Sequence, residues 1–243
     1  MKPRIIQVVI TCWVVFTLGF FGQLPSWGQN KKPDNSAIKP VPKDKKRHEG
    51  FVALAKKGGI DLVFLGDSIT DGWRGPPGEE IWKKHFQPVH AANFGIGGDR
   101  TQHVLWRIQN GELEGYHAKA AVLMIGTNNL GNNTVEQIAE GITAIVQEIH
   151  KQQPETKVLL LAIFPRSQKA ADPARDKIKD INKIIAKLDD GGKTVRYLDI
   201  GDKFLDKSGN ISKEIMPDFL HLSKAGYKIW AESIQPAVDE LMR

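Results

Sequence analysis

The chain has 243 residues, 41% apolar and 26% charged, which suits one globular domain of ordinary size and leaves little room for a second. Its formal charge of +6 is unevenly placed: with the two basic residues of 1–28 and the seven of 29–48 set aside, 25 basic side chains face 26 acidic ones over 49–243. The folded part is therefore near neutral, which argues against a nucleic-acid binder, because such a protein carries its basic patch on the domain itself.

Lys2 and Arg4 precede a mostly apolar stretch over residues 5–21, and Pro25-Ser26-Trp27-Gly28 offers small residues where a signal peptidase would cut. Residues 1–28 read as a signal peptide of an exported protein, periplasmic or extracellular. An uncleaved membrane anchor is the alternative, since about 17 apolar residues reach the short edge of a membrane span. The only cysteine, Cys12, lies inside this stretch. Its removal leaves no disulfide, thiolate metal site or cysteine nucleophile. Residues 29–47 are rich in Lys and Pro and read as a flexible basic linker, with a weak contact to an anionic surface as a minor option. The domain is expected over 48–243.

From there short apolar runs alternate with amphipathic segments. Leu62-Val63-Phe64-Leu65 is the first run and predicts a strand buried on both faces. Gly66-Asp67-Ser68-Ile69-Thr70 follows it directly. A serine at a strand's carboxyl end, entering a helix, presents its hydroxyl at the sheet rim beside its own backbone N–H. In isolation such a serine more often caps a helix, and Asp67 reads as the cap of the local turn. The second glycine of a G-x-S-x-G elbow is missing.

Residues 89–94 form a weaker strand candidate, followed by Gly95-Ile96-Gly97-Gly98. A dinucleotide loop would need glycine where Arg100 stands. Gly98 could instead bring a backbone N–H close to a reacting oxygen, or simply make a turn. A helix is expected from about Thr101, with His103 and Trp106 packing. Residues 121–125 predict a third strand, and Asn128 in Gly126-Thr127-Asn128-Asn129 stands after it, where its amide could reach the same oxygen.

Thr134 and Gln137 form a capping box for a helix whose apolar stripe is Ile138, Ile142, Ile145 and Ile149. Residues 158–163 give a fourth strand, and Arg166 beyond it is a candidate substrate contact. Asp172-Pro173 starts another helix, expected to end at Gly191. Residues 195–200 are a weak fifth strand. Asp218 and His221 then stand three apart, a spacing that would join carboxylate and imidazole on one side of a helical turn. Ser223 caps a last helix carrying Tyr227, Trp230 and Ile234. This order predicts an α/β domain, a three-layer α/β/α sandwich with about five parallel strands, its reactive groups at the carboxyl ends.

Each of the four rim elements is weak alone; together they supply the parts of acyl-transfer machinery. Gly66-Asp67-Ser68, Gly98, Asn128 and the Asp218/His221 pair resemble the four blocks of the SGNH, or GDSL, hydrolases. Residues 93–99, His103 to Arg107, Asn110 to Leu113 and Leu220 to Ser223 are similar to the catalytic subunits of the intracellular platelet-activating factor acetylhydrolases.

The resemblance spans about 48–240 and implies the flavodoxin-like fold of that family. It implies Ser68 as nucleophile, His221 as general base and Asp218 as its partner. It implies an oxyanion hole of the Ser68 and Gly98 N–H groups with the Asn128 side chain. Ile69, Thr127 and Leu220 match positions closing around a short acyl group. His85, His90, His117 and His150 show no ligand spacing and there is no H-E-x-x-H, so no metal is expected, and no cofactor. The expected substrate is a small-molecule or polysaccharide ester, carbohydrate O-acetyl groups first and a short-chain phospholipid second; a homodimer stays open. Two other classes compete: an inactive ligand-binding module of the same fold, and a nucleotide-binding protein using residues 95–98.

Overall fold

The continuous apolar runs at 62–65, 121–125 and 158–163 become strands because both of their faces are covered. The computed structural model describes residues 34–243, of which residues 35–243 form one unit. The expected signal peptide lies outside the described residues. The strands are β1 (Leu62–Gly66), β2 (Ala91–Gly95), β3 (Ala120–Met124), β4 (Lys157–Leu161) and β5 (Val195–Leu198), all parallel, in the order β2-β1-β3-β4-β5.

Alternate residues of each strand serve different layers. Val63, Leu65, Leu123, Val158 and Leu160 meet the apolar sides of α1 (Lys45–Lys57), α4 (Thr101–Arg107), α5 (Val135–Gln152) and α6 (Pro173–Ile185). Leu62, Phe64, Val122, Leu159 and Leu161 meet α3 (Glu79–His85), α7 (Lys224–Leu241) and a cluster of aromatic rings. In that cluster the Trp73 ring lies 4.9 Å from Trp230 and 4.5 Å from Tyr227. The result is the three-layer α/β/α sandwich.

The strand order fixes where chemistry can gather. β1 pairs with β2 on one side and β3 on the other, so the loops after these strands diverge at the sheet's carboxyl edge and leave a crevice. Ser68 follows β1, Gly98 follows β2 and Asn128 follows β3.

Three expectations are corrected. Residues 35–47 are not a free linker. Ala37 is fully buried, the Asn35 amide donates to Gln137 O (3.2 Å) and Glu140 Oε2 (2.9 Å), and Asp44 caps α1 by accepting from Arg47 N (3.1 Å). Composition misreads this segment because polar anchors hold it, where composition counts only large apolar groups. The domain therefore begins at about residue 35. Secondly, α6 stops at Ile185 and a 3-10 turn Ala186–Leu188 follows it, well before Gly191. Asp189 and Asp190 there accept from Gly191, Thr194, Val195 and Tyr197 N–H groups and so shape the turn into β5. The third correction concerns the turn at Asp218 and belongs to the site.

Candidate active site

Ser68 is the first residue of the short helix α2 (Ser68–Asp71), entered straight from β1. The turn is tight. A Cβ on Gly66 would lie 2.5 Å from Met124 O, so only glycine passes there. Asp67 caps α2, its Oδ1 accepting from Ile69 N at 3.0 Å. The Ser68 N–H belongs to the first turn, where no helical carbonyl is available to it.

His221 Nε2 stands 2.9 Å from Ser68 Oγ, across 153 residues of sequence. Its other nitrogen, Nδ1, is 2.6 Å from Asp218 Oδ2. A carboxylate only accepts, so Nδ1 carries the proton and Nε2 is left to accept from the serine hydroxyl. The contact between Asp218 and His221 does not come from a helical turn, as their spacing suggested. Asp218 Oδ1 instead accepts from Leu220 N (3.1 Å) and His221 N (2.7 Å), and Phe219 between them is left-handed at φ 60°. The Phe219 carbonyl accepts from Ser167 N at 2.9 Å, which ties this turn to the loop after β4. Partial burial pushes the Asp218 carboxyl up, but the hydrogen bonds from the His221 ring and backbone outweigh it and hold the group below its usual value. It is thus an anion facing the imidazole, able to stabilise imidazolium.

The loops after β2 and β3 close on the same place. Ile96 N donates to Gly66 O at 3.3 Å, and a Cβ on Gly97 would come 3.9 Å from Ser68 Cβ. Gly97 N is spoken for by Asp71 Oδ2 at 3.2 Å, and Gly98 follows at φ 73°. Asn128 gives one amide hydrogen to Asp99 O (2.8 Å), which locks the two loops together and leaves a second hydrogen. Ile69 and Thr127 are each 2% exposed, Leu220 is half-buried against the core, and Arg166 donates to Thr127 Oγ1 at 3.1 Å. Arg166 therefore braces the loop after β3. A groove of about 580 Å³ at the β2 edge, lined by Phe51, Leu54 and Trp82 among others, holds neither Ser68 nor His221.

Sequence reasoning missed a buried ionic chain beside the site. Arg107, 1% exposed, donates through Nε to Asp99 Oδ2 (3.0 Å) and through Nη1 to Glu112; Glu112 in turn meets His48 Nδ1 at 3.0 Å. The subfamily-like blocks at 93–99, 103–107 and 110–113 carry three of these residues, and that was the only signal. His103 serves the local backbone, its Nδ1 accepting from Arg100 N at 3.0 Å. Burial, then the charges of Lys43, Arg100 and Arg107, push its imidazole down to about 4, so it stays neutral.

Asp67 has a consequence of its own. It is fully buried, Oδ2 has no partner among the described residues, and burial pushes its carboxyl up to about 7, with Asp99 adding to the rise. The fold therefore prefers the neutral acid, whereas the unfolded chain ionises from about pH 4. Stability contributed by this group is full below about pH 4, falls as pH rises toward 7, and is flat beyond. Asp67→Asn, neutral throughout, should gain melting temperature relative to wild type as pH rises over that interval. A gap that stays constant with pH contradicts the assignment.

Comparison with known proteins agrees with this geometry. The model of the GDSL-like lipase/acylhydrolase family matches residues 64–229, a span that includes Ser68, Gly98, Asn128, Asp218 and His221. The platelet-activating factor acetylhydrolase IB subunit alpha1 of Homo sapiens is 41% identical over 202 residues, 80% of this chain and 85% of that protein. Among solved structures, a GDSL-like lipase from Bacteroides thetaiotaomicron superposes with a TM-score of 0.66 at 19% identity, covering 81% of this chain and 98% of that one. An acetyl-xylooligosaccharide esterase from Geobacillus Stearmophilus gives 0.59 at 16%, covering 76% and 94%; both are likenesses of fold. The chain belongs to the GDSL-like lipase/acylhydrolase family and is a carboxylic ester hydrolase.

Proposed function

We propose that the chain is an exported serine esterase that removes acetyl or other short acyl groups, with carbohydrate O-acetyl groups as the first substrate class. The observation that carries the reaction type is the continuous hydrogen-bonded line from Asp218 through His221 to Ser68 Oγ. In this reading Ser68 Oγ attacks the ester carbonyl while His221 Nε2 takes its proton, and Asp218 steadies the imidazolium. The tetrahedral oxyanion is met by the N–H groups of Ser68 and Gly98 and the Asn128 amide. Collapse expels the alcohol, which takes the proton from His221, and leaves an acyl-Ser68 ester. Water, deprotonated by the same imidazole, attacks that ester; the acid departs and the serine is restored.

Ile69, Thr127 and Leu220 are the proposed walls of the acyl site, since they match positions that close around a short acyl group in the enzymes the chain resembles. Export rests on the apolar stretch at 5–21 after Lys2 and Arg4. A second reading, hydrolysis of a short-chain phospholipid acetyl ester, is supported by the 41% identity to the acetylhydrolase subunit. A panel of p-nitrophenyl esters tests the acyl part: kcat/KM should fall from acetate to butyrate to octanoate, and octanoate as the best substrate would sink it. Acetylated xylan, pectin and sialic acid against short-chain phospholipids then separates the two alcohol classes, the faster class naming the substrate.

A further inference from the structure

The segment over 35–44 brings a cation to the loop that follows β2. It is pinned along the way: Thr101 Oγ1 donates to Ala37 O at 2.8 Å, and Val41 N donates to Gln102 O at 3.2 Å. These anchors leave the Lys43 ammonium donating to Gly97 O, with Asp99 Oδ1 at 3.4 Å. A Cβ on Gly98 would sit 3.1 Å from the same nitrogen. On the other side, Gly97 N donates to Asp71 Oδ2, and Arg47 holds Asp71 with two bonds of 3.1 and 2.7 Å. Lys43 thus holds the Gly97 oxygen directly, while Asp71, the partner of its N–H, is shared between Arg47 and Arg74, whose Nη1 donates to Oδ1 at 2.7 Å.

The Gly97 oxygen and the Gly98 hydrogen belong to one peptide plane. In a trans plane they point in opposite directions, so whatever fixes the oxygen aims the hydrogen. Two glycines in succession offer almost no steric resistance to rotating that plane, and Gly98 already sits at φ 73°. Asp99 N closes the turn onto Ile96 O at 3.1 Å, but that bond is compatible with either orientation of the central Gly97–Gly98 peptide. A contact on the peptide itself decides which way it faces. A lysine ammonium on the carbonyl does so with a charge-assisted bond and also polarises the N–H on the far side of the plane.

We propose that Lys43 is a positioning residue of the esterase, holding the Gly97 carbonyl so that the Gly98 N–H faces the oxyanion. The inference rests on the proposed place of Gly98 in the oxyanion hole. Lys43 touches neither substrate nor nucleophile in this account and acts through the peptide it grips.

The test compares Lys43→Met, Lys43→Gln and Lys43→Arg in the full chain, on p-nitrophenyl acetate. Losing an oxyanion donor outright costs about 10²–10³ in rate, so a donor that spends much of its time turned away should cost roughly 10–100-fold in kcat. KM should stay near the wild-type value, because the ground-state carbonyl makes little use of the hole. The rate of phosphonylation of Ser68 by a fluorophosphonate should fall by a similar factor. Lys43→Arg should restore most of both rates and Lys43→Gln only part. Melting temperatures of the three variants tell a loosened fold from a turned peptide. Unchanged kcat in Lys43→Met would overturn the proposal, and so would a loss confined to melting temperature or to KM. Ser68→Ala, assayed alongside, separates the two levels: if it keeps full turnover, the nucleophile and the clamp both fall, whereas an inactive Ser68→Ala beside a fully active Lys43→Met removes the clamp alone.

Discussion

Ser68→Ala should lose about 10⁴–10⁶-fold in kcat/KM toward p-nitrophenyl acetate while its melting temperature stays close to wild type. The separation of the two effects follows from where the side chain sits. Ser68 Oγ meets the His221 imidazole, and the cap on α2 is made by Asp67, so removing the hydroxyl leaves the helix cap intact. What is lost is the proposed attacking atom, and water held by His221 would replace it poorly. Residual turnover reflects the hydrogen-bond donors alone, which still favour the tetrahedral oxyanion. Turnover within tenfold of wild type contradicts the nucleophile assignment.

The largest effect on stability is expected from Arg107→Leu. Arg107, Asp99 and Glu112 are all at most 1% exposed, so their charges are held almost out of water. Truncating the arginine removes the guanidinium that joins the two buried carboxylates, leaving Asp99 with Lys43 at 3.4 Å and Glu112 with His48 at 3.0 Å. Breaking one partner out of a buried pair costs about 3–5 kcal/mol. For a domain of this size that lowers the melting temperature by about 6–20 °C. The deficit should shrink toward pH 4, because burial already holds the Asp99 carboxyl above its usual value and loss of the opposing Arg107 charge raises it further, so the fold takes up this proton at higher pH than the unfolded chain does. A variant melting within about 2 °C of wild type at pH 7 would show that the chain of ions is replaceable, the less common behaviour for a partner removed singly. Activity should fall as well, since Asp99 offers the carbonyl that Asn128 grips at 2.8 Å.

Much of this architecture is legible in the residues themselves, for reasons that differ by element. β1, β3 and β4 stand out because burial on both faces makes continuous apolar runs. β2 and β5 are edge strands with fewer neighbours, so their sequences are mixed and their limits shift by a residue or two. Ser68, Gly98 and Asn128 are legible as a set because a parallel sheet delivers all strand ends to one edge. The Asp218/His221 contact was found for the wrong local reason. The spacing of three fits a helical turn, but a left-handed Phe219 and a carboxylate accepting two N–H groups make the actual turn.

Two features stayed hidden. The segment 35–47 looks like solvated tether because Lys and Pro dominate it, while its order comes from a few polar anchors such as Asn35 and Asp44. The ionic chain is hidden because Asp99, Arg107 and Glu112 are spaced like surface charges, and nothing in a linear pattern says that their charges meet inside. Both lie beside the catalytic edge. The residues proposed to do chemistry are recognisable by type, whereas those that hold them are recognisable only by contact.

The central claim is that a single activated hydroxyl does the covalent work. Treating the full chain with a fluorophosphonate and mapping the adduct by mass spectrometry examines it most directly. One adduct per chain, on the peptide containing Ser68 and absent from His221→Ala, is the predicted result. A protein that remains unlabelled, or one labelled on a different side chain, would contradict the account and leave the fold as a binding module.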